Sequence, residues 1–403
     1  MADRWLSCTL GDVIELKRGY DLPDADRRQG SVPIVSSSGV SGRHDKAKVR
    51  APGVVTGRYG TIGQVFFVNE DFWPLNTTLY VRDFKGNDAR FISYFLRSLD
   101  FQSFNDKSSV PGVNRNDLHR YEVIVPEPEG QRAIAGVLGV LDDKIDQNRR
   151  TAQALERLTR AIFRSWFVDF EPVKAKAAGE NAFPSMPQAV FDALPARFVG
   201  SDIGPVPEGW SAASVYEFAD VIYGAPFSSK LFNDRGIGLP LIRIRDLQTH
   251  APTIFTPQQH PKGTLIQPTD IVVGMDGEFR LHYWTGTSAW LNQRVCAFTP
   301  KAGVPRMFLG ESLRLPLAHF ESAKTGTTVI HLGKADIDTF RLVQPEPKIL
   351  EAYGEFTDSL LKVFVHTAQE SRSLAKMRDY LLPKLLSGEV QVTRDTEKGE
   401  ADV

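Results

Sequence analysis

Val54-Val55-Thr56-Gly57-Arg58-Tyr59-Gly60 returns in the second half of the chain as Ile271-Val272-Val273-Gly274-Met275-Asp276-Gly277. Three β-branched residues lead into a glycine, two variable positions and a second glycine, the pattern of a strand entering a tight turn. The match extends outward from there. Upstream, Trp5 precedes Val13-Ile14 and Gly19 as Trp210 precedes Val221-Ile222 and Gly224, and downstream Leu75-Asn76 returns as Leu291-Asn292. Further on the offset locks: Asp117-Leu118 matches Asp336-Ile337, Pro126-Glu127-Pro128 matches Pro345-Glu346-Pro347, and Leu155 matches Leu374. The chain is a duplication with insertions in its loops, one module made twice.

A length of 403 residues exceeds a single hydrophobic core and predicts at least two domains. The two cysteines, Cys8 and Cys296, stand at non-corresponding places, which argues against a disulfide framework and fits a reducing cytoplasm. No apolar run approaches the roughly 18 residues of a membrane helix. The net charge of −1 hides a local excess: Arg43, Lys46, Lys48, Arg50 and Arg58 face a single acid between them, Asp45. A patch of that kind suits a phosphate backbone.

Short apolar runs at residues 32–35, 54–55, 64–68 and 77–81 read as strands, and those at 239–244, 270–273 and 294–298 are their partners. Residues 89–99 have the one-sided apolar pattern of a helix packed on a sheet. After each Pro-Glu-Pro the period changes. Leu141, Ile145, Asn148, Ala152, Leu155, Thr159, Ile162 and Trp166 step by four and three, as do Leu360, Phe364, Thr367, Ser371, Leu374, Arg378, Leu381 and Leu385. The predicted fold is α/β: two tandem modules separated by a long antiparallel two-helix coiled-coil spacer, related as a pseudo-twofold repeat. The boundaries read as a first module at 1–129, a spacer helix at 130–170 and a Pro-rich linker at 171–206. A second module at 207–347, a second spacer helix at 348–389 and a charged tail at 390–403 follow. The linker's prolines predict extended or turn-like chain, with one short helix near 188–194.

The order module, helix, module, helix carries three further strings. Trp210 follows Pro207-Glu208-Gly209, the run from Phe163 to Phe170 leads into Glu171-Pro172-Val173, and Leu382-Pro383-Lys384-Leu385-Leu386-Ser387-Gly388-Glu389 ends the second helix. In this order they resemble the specificity (S) subunit of type I restriction-modification systems. The resemblance implies a DNA-reading subunit without chemistry of its own, each module being a target-recognition domain for half of a split, asymmetric double-stranded DNA target. Methyltransferase (M) subunits and restriction or motor (R) subunits would assemble on it. The S-adenosylmethionine, ATP and magnesium sites belong to those partners, so no cofactor is expected here. Two alternatives stay open: a recognition subunit with an unseen enzymatic activity, and a structural adaptor that binds no DNA.

Chemistry-bearing fragments are few. No Gly-rich phosphate loop, amino-methyltransferase motif or His-Glu-x-x-His pair occurs, and no catalytic or metal residue is assigned. Asp142-Asp143-Lys144 reads as a solvated helix face and Ser36-Ser37-Ser38-Gly39 as a polar loop. DNA-facing candidates come from the repeat itself. The paired turns offer Arg58, Tyr59 and Thr61 against Met275, Asp276, Glu278 and Arg280, side chains able to read base edges, with an ordinary surface turn as the alternative. Lys107 and Ser108, with Lys324 and Thr325, suit phosphate contact. Lys17, Arg18, Tyr20, Arg43 and Lys46 are added in the first module, and Tyr223, Lys230, Arg243 and Arg245 in the second. Trp166, Phe167 and Phe170, with Leu385 and Leu386, are too apolar for a solvated helix end: they are read as exposed anchors for partner subunits, with capping of the helix pair or plugging of the neighbouring module as the alternative.

Overall fold

The computed structural model describes residues 5–101, 112–184, 186–323 and 331–392. By internal contacts the chain falls into two units, one running to Ile145 and resuming at Ser373, the other spanning Asp146–Arg372.

The first unit opens with β1 (Trp5–Thr9), the short helix α1 (Leu10–Val13) and β2 (Glu15–Arg18). Thr9 and Asp12 cap α1 reciprocally, Asp12 N–H donating to Thr9 Oγ1 at 3.3 Å and Thr9 N–H to Asp12 Oδ2 at 3.0 Å. There follow β3 (Val32–Ser36), β4 (Gly39–His44), β5 (Gly53–Gly57), β6 (Val65–Val68), β7 (Trp73–Pro74) and β8 (Thr78–Asp83). Helices α2 (Ala89–Ser98) and α3 (Arg115–His119) and strand β9 (Glu122–Pro126) complete the module. One antiparallel sheet has the order β2-β8-β5-β6, a second the order β4-β3-β7 with β3 and β7 parallel, and β1 pairs with β9. Asp88 caps α2 by accepting the Phe91 N–H at 2.8 Å, and the helix then lays Phe91, Ile92 and Phe95 into a core with Leu10, Ile14, Val54 and Val81.

The second unit repeats that order with additions. After α4 (Pro128–Phe167) come α5 (Glu171–Ala177), α6 (Gln188–Ala193) and the small β10 (Phe198–Val199) and β11 (Val206–Pro207). The module proper runs β12 (Ser211–Ser214), α7 (Val215–Phe218), β13 (Ala219–Tyr223), β14 (Leu239–Ile242), β15 (Phe255–Thr256), β16 (Leu265–Ile266), β17 (Ile271–Gly274), β18 (Leu281–Tyr283), β19 (Ala289–Leu291) and β20 (Val295–Pro300). It closes with α8 (Arg306–Ala323), α9 (Lys334–Ile337) and β21 (Arg341–Gln344) before α10 (Pro347–Leu386). Its main sheet, β13-β20-β17-β18, is the first unit's sheet strand for strand, and β14 and β19 are parallel as β3 and β7 are. Strand register corrects one pairing expected from sequence. Leu16 faces Val81 and Val221 faces Phe298, so the counterpart of Val221 is Leu16, and Val13-Ile14 belongs with the end of α7.

The linker departs from expectation more strongly. Residues 171–177 are helical because Pro172 stands in the first turn of α5, where no N–H is needed and the fixed φ is already helical. Val173, Met186, Phe191, Leu194 and Val206 then pack into the core of the second unit. The same core takes up Trp166, Phe167 and Phe170, all buried, so the exposure expected of these anchors is not observed. Phe167 has ring centroids of Phe308 at 4.9 Å, Tyr353 at 5.1 Å and Trp210 at 6.0 Å. Leu385 is likewise buried in the first unit's core, with Leu386 half-buried beside it. The apolarity of each helix end belongs to packing in the core of the unit that contains it.

Each unit takes one stretch of α4 and one of α10, and in each the two stretches lie side by side. In the first, Asp142 accepts from Arg378 at 2.6 Å; in the second, Asn148 Nδ2 donates to Glu370 at 2.8 Å, and Leu155 and Thr159 share a small cavity lining with Leu360, Leu361 and Phe364. Every expected seam position, from Leu141 to Trp166 and from Leu360 to Leu385, is half-buried or buried. The polar seam members are therefore paired, which disfavours slipped registers. Asp142 does not lie on a solvated face, since it also accepts from Tyr94 at 2.7 Å; Asp143 is solvated as expected and takes Arg90 in a fork at 2.6 and 2.9 Å. Among the described residues no helix is long and apolar enough to cross a membrane, and both cysteines are free.

Replacing Phe167 by alanine should lower the stability of the second unit by about 3–5 kcal/mol, the cost of a large buried aromatic. Calorimetry of the full chain would register it; a surface anchor would leave the melting unchanged. A second expectation concerns acid. Leu16 N–H donates to His119 Nε2 at 2.9 Å and Thr285 N–H to His250 Nδ1 at 3.2 Å, and burial lowers both imidazoles, His250 to about 3. A lowered folded value means that the unfolded chain binds the proton first, so this stabilisation is complete above about pH 6.5 and is lost as pH falls toward the folded values. Denaturant midpoints should drop between pH 7 and pH 5, and His250→Gln should flatten the second unit's share of that slope.

Candidate nucleic-acid interface

The turn quoted first is the connection from β5 to β6, and its copy connects β17 to β18. Gly60 and Gly277 both take left-handed backbone, φ +78° and +79°, a conformation that L side chains rarely adopt. Arg58 and Tyr59 N–H groups donate to the Thr77 carbonyl at 2.9 and 3.2 Å, as Met275 N–H donates to that of Arg294 at 3.0 Å. On the other side Val113 N–H donates to the Arg58 carbonyl at 3.0 Å, and Leu332 N–H to that of Met275 at 2.8 Å. Each module thus joins three segments at the same place with two matching backbone bonds, while the side chains there differ.

In the first module the Arg58 guanidinium lies 4.5 Å above the Tyr59 ring, which is exposed. In the second, Met275 is buried and turned into the core, a correction to its expected role as a reader. Asp276 is already engaged, 2.7 Å from His331 Nδ1 and 3.2 Å from Arg294 Nη1. Glu278 and Arg280 pair with each other at 3.3 Å in solvent. Thr61 returns its carbonyl so close to Gly57 that a Cβ there would lie 1.9 Å from it.

The remaining candidates separate by how their charges are met. Arg18 pairs with Asp21 at 3.6 Å, Arg43 with Glu70 at 3.7 Å, and Arg243 forks onto Asp246 at 2.9 and 3.2 Å. Lys17, Lys46, Lys48, Arg50 and Arg58 have no carboxylate partner among the described residues, nor do Lys230 and Arg245. Lys48 stands 4.8 Å over Trp73 and 5.8 Å from the Tyr20 ring, and Lys17 reaches the Tyr20 hydroxyl at 3.5 Å. A hydrogen bond with Tyr80, helped by the Lys17 and Lys48 charges, holds the Tyr20 phenol below its ordinary value. Tyr223 is half-buried against the core, and burial raises its phenol, which suits packing more than contact with a polyanion. Lys107, Ser108, Lys324 and Thr325 lie outside the described residues.

Residues 2–157 match the family described as the type I restriction modification DNA specificity domain. The HindI specificity subunit of Haemophilus influenzae is 24% identical over 327 residues, 70% of this chain and 71% of that protein. Over most of its length the chain is thus similar to type I restriction-modification specificity subunits. The MjaIX specificity subunit of Methanocaldococcus jannaschii is 24% identical over 308 residues, 71% of this chain and 64% of its own length, and the EcoBI subunit of Escherichia coli is 32% identical over 155 residues, 38% and 33% respectively. The crystal structure of the S subunit from M. genitalium has the same fold, with a TM-score of 0.65 at 16% identity over 95% of this chain and 96% of that one. The duplicated α/β modules with their helical segments are the fold of that S subunit.

If the first module binds DNA, its cations without carboxylate partners are the expected phosphate contacts. Lys48→Ala with Arg50→Ala should weaken binding to all duplexes and reduce the slope of log affinity against log salt by roughly one for each phosphate no longer neutralised. Arg280→Ala, whose charge Glu278 already meets, should move that slope less. Titrations at several salt concentrations would check both.

Proposed function

We propose that the chain reads a split, asymmetric double-stranded DNA target, one half per module, and scaffolds the methyltransferase and motor-nuclease subunits that act on it. One observation carries the reading: the same glycine-bounded turn, with matching backbone bonds at its base, carries exposed Arg58 and Tyr59 in one module and Asp276 paired with exposed Arg294 in the other. A fixed turn with exchanged side chains serves two different half-sites, because base edges are distinguished by the donors and acceptors set against them.

Partner subunits supply part of the grip. Residues 1–130 hold 17 basic and 17 acidic side chains, and residues 207–347 hold 13 of each, so counterion release by the modules alone is limited. The relatives' names speak of restriction enzymes of which they are specificity subunits, in keeping with such an assembly. Contact with partners falls to surfaces other than the buried Trp166, Phe167, Phe170 and Leu385.

A methylation map of DNA from cells carrying this chain with its methyltransferase tests the proposal. The expected result is two unlike half-sites divided by a gap of unspecified bases. Inserting one heptad in both α4 and α10 should lengthen the gap and leave the half-sites unchanged. One continuous or palindromic site, or an insertion that changes the bases read and not the gap, would refute it.

A further inference from the structure

Each module has an arginine beside the glycine-bounded turn held by a neighbouring side chain, and the two arginines come from different sequence positions. In the first module the turn itself supplies Arg58. In the second the arginine at the far end of the connection, Arg280, is already met by Glu278 in solvent, and the matching position is Met275, which is buried. Arg294 takes that place. It precedes β20 as Thr77 precedes β8, and the bond from Met275 N–H to the Arg294 carbonyl at 3.0 Å repeats that from Arg58 N–H to the Thr77 carbonyl at 2.9 Å. Arg58 and Arg294 are thus carried by backbone segments that are hydrogen-bonded neighbours in both modules.

The surroundings of Arg294 are those of a side chain held for use. It is exposed, yet its Nη1 lies 3.2 and 3.4 Å from the two carboxylate oxygens of Asp276, which is itself more than three-quarters buried. Asp276 is steadied from its other side by His331 Nδ1 at 2.7 Å, and the backbones of Asp276 and His331 are bridged as those of Tyr59 and Gly112 are. The remaining N–H groups of Arg294 have no partner among the described residues. A carboxylate behind a guanidinium fixes its plane and leaves a fork of donors facing out, and the base edge that fits such a fork is guanine, with its O6 and N7 acceptors. Tyr59 does the same for Arg58 by stacking at 4.5 Å.

Resting on the proposal that each module reads a half-site, we infer that Arg294 is the guanine-reading residue of the second module. Asp276 and His331 are its positioning residues. Asp276 itself is then not a reader of cytosine.

The test uses the full chain assembled with the methyltransferase subunits of its own system and a pool of randomised duplexes, from which bound sequences are recovered. Arg294→Ala should relax selection at one G·C pair by roughly tenfold to a hundredfold, in the half-site that Arg58→Ala leaves untouched. Arg294→Lys should not restore it, because an ammonium lacks the fork; Asp276→Asn should weaken selection at that same pair while overall retention of DNA is kept. Thermal melting of each variant shows that the module is folded, as expected for an exposed side chain. A wild-type complex that selects no sequence would refute the half-site reading and this inference together. If the wild type selects a split target, the inference alone falls under any of three results: Arg294→Ala changes nothing, it weakens all sequences equally and lysine rescues it, or it alters the half governed by Arg58.

Discussion

The architecture of both modules depends on one close passage of backbone against backbone. In the first, the chain leaves β2 at Gly19, whose N–H donates to the Thr78 carbonyl at 3.1 Å, and the next N–H, of Tyr20, donates to the Pro74 carbonyl at 2.8 Å. In the second, Gly224 donates to the Val295 carbonyl at 3.0 Å and Ala225 to that of Leu291 at 3.1 Å. The strand thus passes from one sheet to the next within two residues, and any Cβ would lie 2.1 Å from the Leu75 carbonyl or 2.0 Å from that of Asn292. No side chain survives such distances, so glycine is imposed by the crossing of the sheets. Given that crossing, β8 and β20 emerge at a set distance from the turns after β5 and β17, and the three-way junction forms in the same way twice.

This is why so much of the fold is legible in the sequence. Gly19 matches Gly224, and Leu75-Asn76 matches Leu291-Asn292, as separate landmarks of the repeat; in space each glycine touches its own Leu-Asn segment. The landmarks are the two sides of one contact. The strands at 54–55 and 271–273 and the helix at 89–98 are equally legible, since each combines a local period with a turn or cap that only a few residue types can make. The helix seam is readable for the same reason, down to Asn148 and Arg378, polar members that the structure pairs with Glu370 and Asp142.

What is not legible is what covers a face once the face is known. Periodicity shows that the end of α4 is apolar on its inner side, but it carries no record of Trp210, Phe308 and Tyr353, which come from far along the chain and close over Phe167. The linker hides its helix because Pro172 reads as a breaker unless its place in the first turn is known. Met275 misleads because the fully buried run of β17 continues one residue into the turn. Arg294 escapes because a comparison of the two halves by offset sets it beside Thr77, while function depends on what side chains share in space.

Formal charge conceals a related difference. Basic and acidic residues balance in both modules, yet they balance in different ways. Both modules set arginines against carboxylates within 4 Å, Arg18, Arg27, Arg43 and Arg82 in the first and Arg243, Arg280, Arg294, Arg306 and Arg314 in the second, so these cations are oriented while their long-range field is reduced. In the first, Lys46, Lys48, Arg50 and Arg58 stand within thirteen residues of sequence without such partners among those described, and their fields add. Fields that add attract a polyanion from a distance and are weakened by salt; an arginine held by a carboxylate gains little reach but keeps its donors in a defined plane. Two copies of one fold with equal net charge thus differ in detail: the first adds a run of cations without carboxylate partners among the described residues, and the second holds Arg294 against Asp276.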